Sequence, residues 1–114
     1  MKVAIVGKKC KLAYQIGLFI PKEVTEIVVY DTKGISDVAK KYALSNNIKF
    51  VEFIPKQKKL FKKADYDKID EFVDYVDLII VVSYSRSKEF GYIIDLAHKR
   101  FKRMNFILEG IRCE

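Results

Sequence analysis

The chain has 114 residues, half of them apolar and only seven of them glycine or proline (Gly 5, Pro 2), so a disordered or low-complexity protein is excluded. This length suits one domain over residues 1–114 and is too short for two. The net charge of +7 favours anionic partners, and no apolar run approaches the roughly 20 residues that span a bilayer, so a membrane protein is not expected.

Apolar runs and helical spacings alternate along the first half of the chain. A strand over residues 3–6 ends at Gly7, and a helix carrying Ile16 and Phe19 ends before Pro21. A second strand covers residues 26–30. The following helix turns Val38 and Tyr42 inward and closes at residues 46–47, before a third strand over residues 48–53.

The second half continues the alternation. A third helix ends near Val76, and the most apolar strand of the chain follows over residues 78–82. A fourth helix from about Ser87 precedes a last strand over residues 103–108. The spacing predicts one inner stripe on each of these helices: Ile69, Phe72, Val73 and Val76 on the third, and Ile93, Ile94, Ala97 and Phe101 on the fourth.

Five strands that alternate with helices indicate a mainly parallel sheet, because parallel neighbours need crossover connections and both faces must be covered. Right-handed crossovers give a three-layer α/β sandwich. With the first strand in the centre, the strand order is 3-2-1-4-5. The chain then reverses direction between the first and fourth strands, and a ligand crevice is expected at their carboxyl ends, rimmed by three loops.

The first rim loop contains Gly7, Lys8 and Lys9. The glycine permits a close backbone approach, and the lysines are suited to neutralise a phosphate. The alternative is a strand-ending glycine followed by solvated lysines. Cys10 needs a neighbouring base to act as a nucleophile, and His98 falls on the outer side of the last helix, so a Cys–His pair is not expected.

The second rim loop combines hydroxyls, a glycine and the start of a helix, whose dipole favours an anion. Ser36 is equally a simple helix cap, with Asp37 placed to favour the same dipole. The residues of this candidate phosphate site are Asp31, Thr32, Lys33, Gly34 and Ser36.

The third rim loop is polar and basic. Arg86 has the geometry to fork onto a phosphate or carboxylate, and Tyr84 to stack on a base. Against this, Glu89 falls in the first turn of the next helix and competes with a phosphate for its positive end. The candidate residues are Ser83, Tyr84, Ser85, Arg86 and Ser87.

A lysine-rich segment after Pro55 accounts for much of the excess charge: Lys56, Lys58, Lys59, Lys62 and Lys63. It is either an electrostatic footprint for nucleic acid or a solvated loop. Only Cys10 and Cys113 are present, without metal-ligand spacing. A reduced, cytoplasmic protein without a metal site is therefore expected.

Several segments along the chain carry a shared pattern: residues 3–7, Lys33-Gly34, residues 38–43 (VAKKYA), Lys62, Ala64, Val73, Asp77 and residues 94–97 (IDLA). Together they resemble the SLOG superfamily, a Rossmann-like group, and within it the small YspA/YpsA-related branch. The correspondence runs in order along nearly the whole chain.

The departures from the family pattern fall in the loops. The paired glycines of the family fall on Tyr30 and Asp31, and the glycine-threonine pair of the last loop on Glu89 and Phe90. The S-R pair that follows the first strand falls on Lys8 and Lys9, the family aspartate on Ser36, and the N-R pair on Ile69 and Asp70. The phosphoribohydrolase pattern P-G-G-x-G-T-x-x-E does not occur.

The resemblance therefore implies a non-catalytic domain that binds or senses a nucleotide or a nucleotide-derived ligand such as ADP-ribose. Two alternatives stay open. One is a nucleoside-monophosphate hydrolase similar to the cytokinin-activating phosphoribohydrolases, for which Asp31, Asp37, Glu89 and Arg86 are the available groups. The other is a DprA-like domain for single-stranded nucleic acid. Phe90 and Tyr92 are candidate exposed aromatics for a homodimer surface.

Overall fold

The computed structural model describes residues 1–7, 16–30, 35–53, 63–82 and 88–107, with the backbone alone for residues 63–66 and 88–90. These ranges contain strands and helices in the predicted alternation. The predicted helix around Ile16 differs, because its described part, residues 16–18, is a single 3₁₀ turn. The elements are β1 (Lys2–Gly7), β2 (Glu26–Tyr30), α1 (Ile35–Ser45), β3 (Lys49–Phe53), α2 (Lys63–Tyr75), β4 (Leu78–Val82), α3 (Lys88–Lys99) and β5 (Arg103–Ile107).

The five strands form one sheet in the order β3-β2-β1-β4-β5, which confirms the predicted order. Every neighbouring pair is parallel. The central strand, β1, pairs with β2 on one side and with β4 on the other, and Gly7 lies opposite Val82. A parallel sheet needs both faces covered, which explains why β4 is an unbroken apolar run with every residue buried.

Strand alternation divides the core into two clusters, one on each face of the sheet. Val3 and Ile5 of β1 face the first cluster, to which α1 contributes Val38 and Ala39. Ala4 and Val6 face the second cluster, which contains the inward residues of α2 and α3. The structure is therefore the predicted three-layer sandwich, with α1 on one face and α2 and α3 on the other.

The amino-terminal edge of the sheet is held by polar contacts between β1 and the turn before β4. The Lys2 amide donates to the Asp77 carboxylate at 2.8 Å, and the Asp77 amide donates to the Lys2 carbonyl at 2.8 Å. Nearby, the Tyr75 hydroxyl donates to the Glu26 carboxylate, and the Lys2 ammonium lies 4.0 Å from the centroid of the Tyr75 ring. These contacts fix the register of β1, β2 and β4 at this end.

Helices α2 and α3 are joined by a polar network. Arg100, just after α3, forms ion pairs with Asp70 and Asp74 of α2. The Tyr92 hydroxyl donates to Asp70 at 2.9 Å, and Tyr92 also packs against the second core cluster. The prediction that Tyr92 is exposed is wrong, because this network and the core hold it partly buried. The predicted homodimer surface stays a prediction, and the Phe90 side chain lies outside the described residues.

Helices α1 and α3 end in the same hydrogen-bond pattern, the Schellman motif, with a residue in the left-handed conformation after the last turn. In α1 that residue is Asn47, with φ of 55°. In α3 it is Phe101, also with φ of 55°, where its amide donates to His98 and the Lys102 amide donates to Ala97. The prediction that Phe101 belongs to the inner stripe is wrong: the chain leaves the helix before it, and its side chain is 94% exposed.

Candidate ligand-binding edge

The strands that precede the three predicted rim loops lie next to each other in the sheet. β1 ends at Gly7, β2 at Tyr30 and β4 at Val82, and β1 is the neighbour of both other strands. Because the strands are parallel, their carboxyl ends meet at one edge. The chain crosses from β1 to β2 on one side and returns to β4 on the other, so this edge is the switch point of the sheet.

Two of the predicted ligand residues, Gly7 and Ser36, lie within the described residues. Of the lysines predicted for nucleic acid, Lys63 is described by its backbone, as the first residue of α2. The others lie outside the described residues, so their prediction stays a prediction. They are Lys8, Lys9, Asp31, Thr32, Lys33, Gly34, Ser83, Tyr84, Ser85, Arg86 and Ser87 for the ligand, and Lys56, Lys58, Lys59 and Lys62 for nucleic acid.

Gly7 ends β1 with φ of 126°, a conformation that side chains with a Cβ rarely adopt. The glycine therefore lets the chain leave the central strand at an angle that other residues resist. It also keeps the end of β1 free of a side chain, opposite Val82 of β4. Both properties suit a place where a ligand approaches the backbone, and a glycine directly after an apolar strand was the sequence signal for it.

The first turn of α1 lies beside the end of β2. The helix begins at Ile35, so Ser36 lies inside the first turn and not at the predicted cap position. Ile35 is fully buried in the first core cluster, so the first turn of the helix packs against the sheet. Ser36 is also buried, whereas Asp37 is exposed in the first turn, where its charge favours the helix dipole.

Tyr30 lies at this edge, and its packing is a feature that the sequence analysis did not predict. It ends β2, is 1% exposed and packs its ring against Phe72 of α2, with 5.8 Å between the ring centroids. Phe53 at the end of β3 also contacts Phe72, at 5.6 Å. An aromatic side chain therefore fills the α2 side of the sheet at the carboxyl end of β2. The sequence did contain a signal for this burial, because Tyr30 is the last residue of an apolar strand.

Two clefts between described residues lie near the carboxyl end of α1. One of about 210 Å³ lies beside Ile16, Val38 and Tyr42. Another of about 670 Å³ lies between Tyr42 and the segment that leads into β2, and includes Lys22 and Asn46. The larger cleft is near the amino ends of β2 and β3, opposite the predicted ligand edge. The sequence analysis did not predict it.

At the amino-terminal edge of the sheet, the proton affinity of the Tyr75 hydroxyl is raised. The hydrogen bond that Tyr75 donates to the Glu26 carboxylate raises the pKa of Tyr75 above its ordinary value of 10.0, and desolvation and the Glu26 charge add to the rise. Within the same ranges, no group of three His, Cys, Asp or Glu side chains is placed to hold a metal. None of the helices described there is long and apolar enough to cross a bilayer.

Comparison with known proteins supports the fold. No protein-family model matches the chain, and no curated protein matches it. The chain is similar to the X-ray structure of TM1055, a target of the Northeast Structural Genomics Consortium, with a TM-score of 0.67 and 11% sequence identity. The alignment covers 90% of this chain and 71% of that chain. A likeness at this identity establishes the architecture alone, and the chain has a Rossmann-like α/β fold.

Proposed function

We propose that the protein is a SLOG-like domain that binds a nucleotide or nucleotide-derived ligand at the carboxyl edge of β1, β2 and β4, without catalysing a reaction. The observation that carries the proposal is the reversal of the chain at β1 and β4, together with the positive φ of Gly7 there. In open parallel sheets, ligands bind in the crevice outside the carboxyl ends of the strands at such a reversal.

Charge supports an anionic ligand. The chain carries an excess of seven positive charges. Lys8 and Lys9 directly follow β1 in the sequence, and Arg86 comes four residues after the end of β4. The first turn of α1 adds the positive end of a helix dipole on the same edge. A phosphate or diphosphate group is the chemistry that matches these features.

The proposal excludes catalysis because the residues that the family uses around its ligand are replaced. Tyr30 stands at one of the paired glycines and packs into the core beneath the edge. Glu89 and Phe90 stand at the glycine-threonine pair of the last loop. A site that keeps its place in the fold but loses these groups is better suited to hold a ligand than to cleave it.

Titration calorimetry of the purified protein against AMP, ADP, ADP-ribose and NAD tests the proposal. We expect at least one of them to bind with a dissociation constant below about 1 mM, which corresponds to about 4 kcal/mol. Gly7→Ala is expected to weaken binding, and so is the double variant Lys8→Ala, Lys9→Ala. The double variant Lys40→Ala, Lys49→Ala removes the same charge from exposed positions away from this edge and is expected to bind as the unaltered protein does.

Three results would contradict the proposal. Absence of binding to all four compounds at millimolar concentration removes the ligand site. Release of a free base when the protein is incubated with AMP shows a hydrolase. Binding to single-stranded DNA that weakens steeply with added salt, and weakens further when the lysines at 56–63 are removed, assigns the positive charge to nucleic acid.

A further inference from the structure

The described sheet ends at β5, whose only strand neighbour there is β4. The outer side of such a strand presents main-chain N–H and C=O groups that have no partner within the sheet. Proteins commonly protect such edges with lysine, proline, inward-pointing charges or bulges. β5 has the sequence RMNFI, with a single charged residue, Arg103, in a chain of net charge +7. The opposite edge strand, β3, presents the exposed charges of Lys49 and Glu52.

The apolar surface near β5 is aromatic. The large hydrophobic side chains that are exposed in the described residues are Leu18, Leu44, Phe101 and Phe106. Both aromatic members of this set lie along β5 or in the turn that leads into it. Phe106 is 50% exposed, and by strand alternation it lies on the same face as Met104, which packs against the second core cluster. Aromatic and Met side chains are enriched in protein interfaces.

We propose that a second copy of this chain pairs with β5 in antiparallel orientation, forming a continuous sheet across a two-fold axis at Asn105. A two-fold axis between antiparallel strands runs normal to the sheet, so each face stays continuous and residues with the same facing oppose each other. With Asn105 opposite Asn105 of the second copy, all five residues of each strand overlap. Met104 then lies opposite Phe106 of the second copy, twice, as an aromatic–thioether pair.

Overlap selects this register over its neighbours, because a two-fold axis at Met104 or at Phe106 leaves only three residues of each strand opposite strand residues of the second copy. Charge disfavours a wider shift. An axis at Arg103 places two arginines directly opposite each other, which is unfavourable in a strand pair. An axis at Asn105 places Arg103 opposite Ile107 of the second copy instead. A second copy carries the same net charge of +7, so its approach is least opposed where the surface has few charges, as along residues 104–107. This pairing uses the edge opposite β3 and is independent of the ligand proposal.

Sedimentation equilibrium over a range of chain concentrations tests the pairing in reducing buffer. The unaltered chain is expected to approach twice the mass of one chain, at lower concentration when salt is raised. Phe106→Lys places a lysine against Met104 of the second copy and is expected to remain at the mass of one chain, with an unchanged circular dichroism spectrum. Leu44→Lys makes the same change at another exposed apolar position, on α1, and is expected to pair normally.

Disulfide trapping tests the register. In a background with Cys10→Ser and Cys113→Ser, Asn105→Cys brings two thiols opposite each other, with Cβ atoms about 4.5–5.5 Å apart, and is expected to form a covalent dimer on mild oxidation. Arg103→Cys lies on the same strand and face, but four residues, about 14 Å, from its equivalent, and is expected not to cross-link. A single-chain mass at every concentration overturns the proposal. So does a dimer that Phe106→Lys leaves intact, or one that Arg103→Cys traps as readily as Asn105→Cys.

Discussion

Replacing Phe101 with glycine is expected to stabilise the protein. Phe101 occupies the left-handed position of the Schellman motif that ends α3, where glycine is the usual residue. A bulky side chain at φ of 55° crowds the following carbonyl. The ring is 94% exposed, so its removal forfeits almost no buried area. The two hydrogen bonds of the motif use main-chain groups that a substitution leaves in place.

The magnitude follows from two opposing costs. A non-glycine residue in the left-handed region costs about 1–2 kcal/mol. Glycine loses more conformational freedom on folding, and this loss lowers the gain in stability by about 0.5–1 kcal/mol. The free energy of unfolding of Phe101→Gly should therefore rise by about 0.5–1 kcal/mol. For a chain of this size, that corresponds to a melting temperature about 2–4 °C higher.

Urea denaturation followed by far-ultraviolet circular dichroism measures the change. Phe101→Ala removes the ring but keeps a Cβ at the same φ, and is expected to gain little. Phe101→Asn introduces the residue that α1 uses at the equivalent position, Asn47, and is expected to recover part of the gain. If Phe101→Ala stabilises as much as Phe101→Gly, the backbone explanation is wrong and the exposed ring is the cause. A loss of stability in Phe101→Gly refutes the reasoning altogether.

Three further substitutions have definite expected outcomes. Gly91→Ala is expected to raise the free energy of unfolding by about 0.5–1 kcal/mol in thermal denaturation, because a Cβ in this helical position meets nothing within 4 Å. Gly17→Ala is expected to lower it by about 1–3 kcal/mol, since its Cβ would lie 2.7 Å from the Tyr42 ring; an unchanged melting temperature would mean that the ring moves away freely. The raised pKa of Tyr75 means that the folded state holds this proton more tightly, so its contribution to stability is complete below about pH 10 and is lost as pH rises through the raised folded pKa. Tyr75→Phe removes the hydrogen bond to Glu26 and is expected to show a smaller fall of melting temperature above pH 10; an identical fall would contradict this assignment.

The strands could be predicted from the sequence because burial on both faces leaves an unmistakable pattern. Residues 78–82 are predicted and observed as the same strand, since no exposed face interrupts their apolar run. Residues 26–30 behave in the same way. The strand order followed once the first strand was placed at the centre of a doubly wound sheet, and this placement does not depend on any particular side chain. The strands that form the proposed ligand edge, and their order in the sheet, could therefore be predicted from the sequence.

The errors arose where periodicity continues past the end of an element. Phe101 follows Ala97 at helical spacing, so the pattern assigns it to the inner stripe of α3. The helix ends at Lys99. Glycine or asparagine is the usual sequence signal for a helix end, and here the left-handed position is occupied by phenylalanine, so the sequence does not indicate the end. Tyr92 was misjudged for a different reason: its partner Asp70 is on α2, and a sequence does not display a contact between separate helices.

The candidate site was predictable in place but not in chemistry. Gly7 marks the end of the central strand in the sequence, and its positive φ agrees with that reading. Which atoms would meet a ligand depends on side chains in the loops after Gly7, Tyr30 and Val82, and local sequence rules fix the location of such loops better than their conformation. The burial of Tyr30 against Phe72 is a tertiary contact of the same unpredictable kind as that between Tyr92 and Asp70.

The central place of β1 governs when this chain can fold during its synthesis. β1 is made first, yet one of its two strand neighbours is β4, and the hydrogen bond between Lys2 and Asp77 joins residues 75 positions apart. A nascent chain must therefore carry an apolar strand with one unpaired side until β4 has left the ribosome. Closing so long a loop costs conformational entropy before the contacts between β1 and β4 can form, so folding is expected to be slow for a protein of this size. It is also expected to depend on chaperones that bind the unpaired strand.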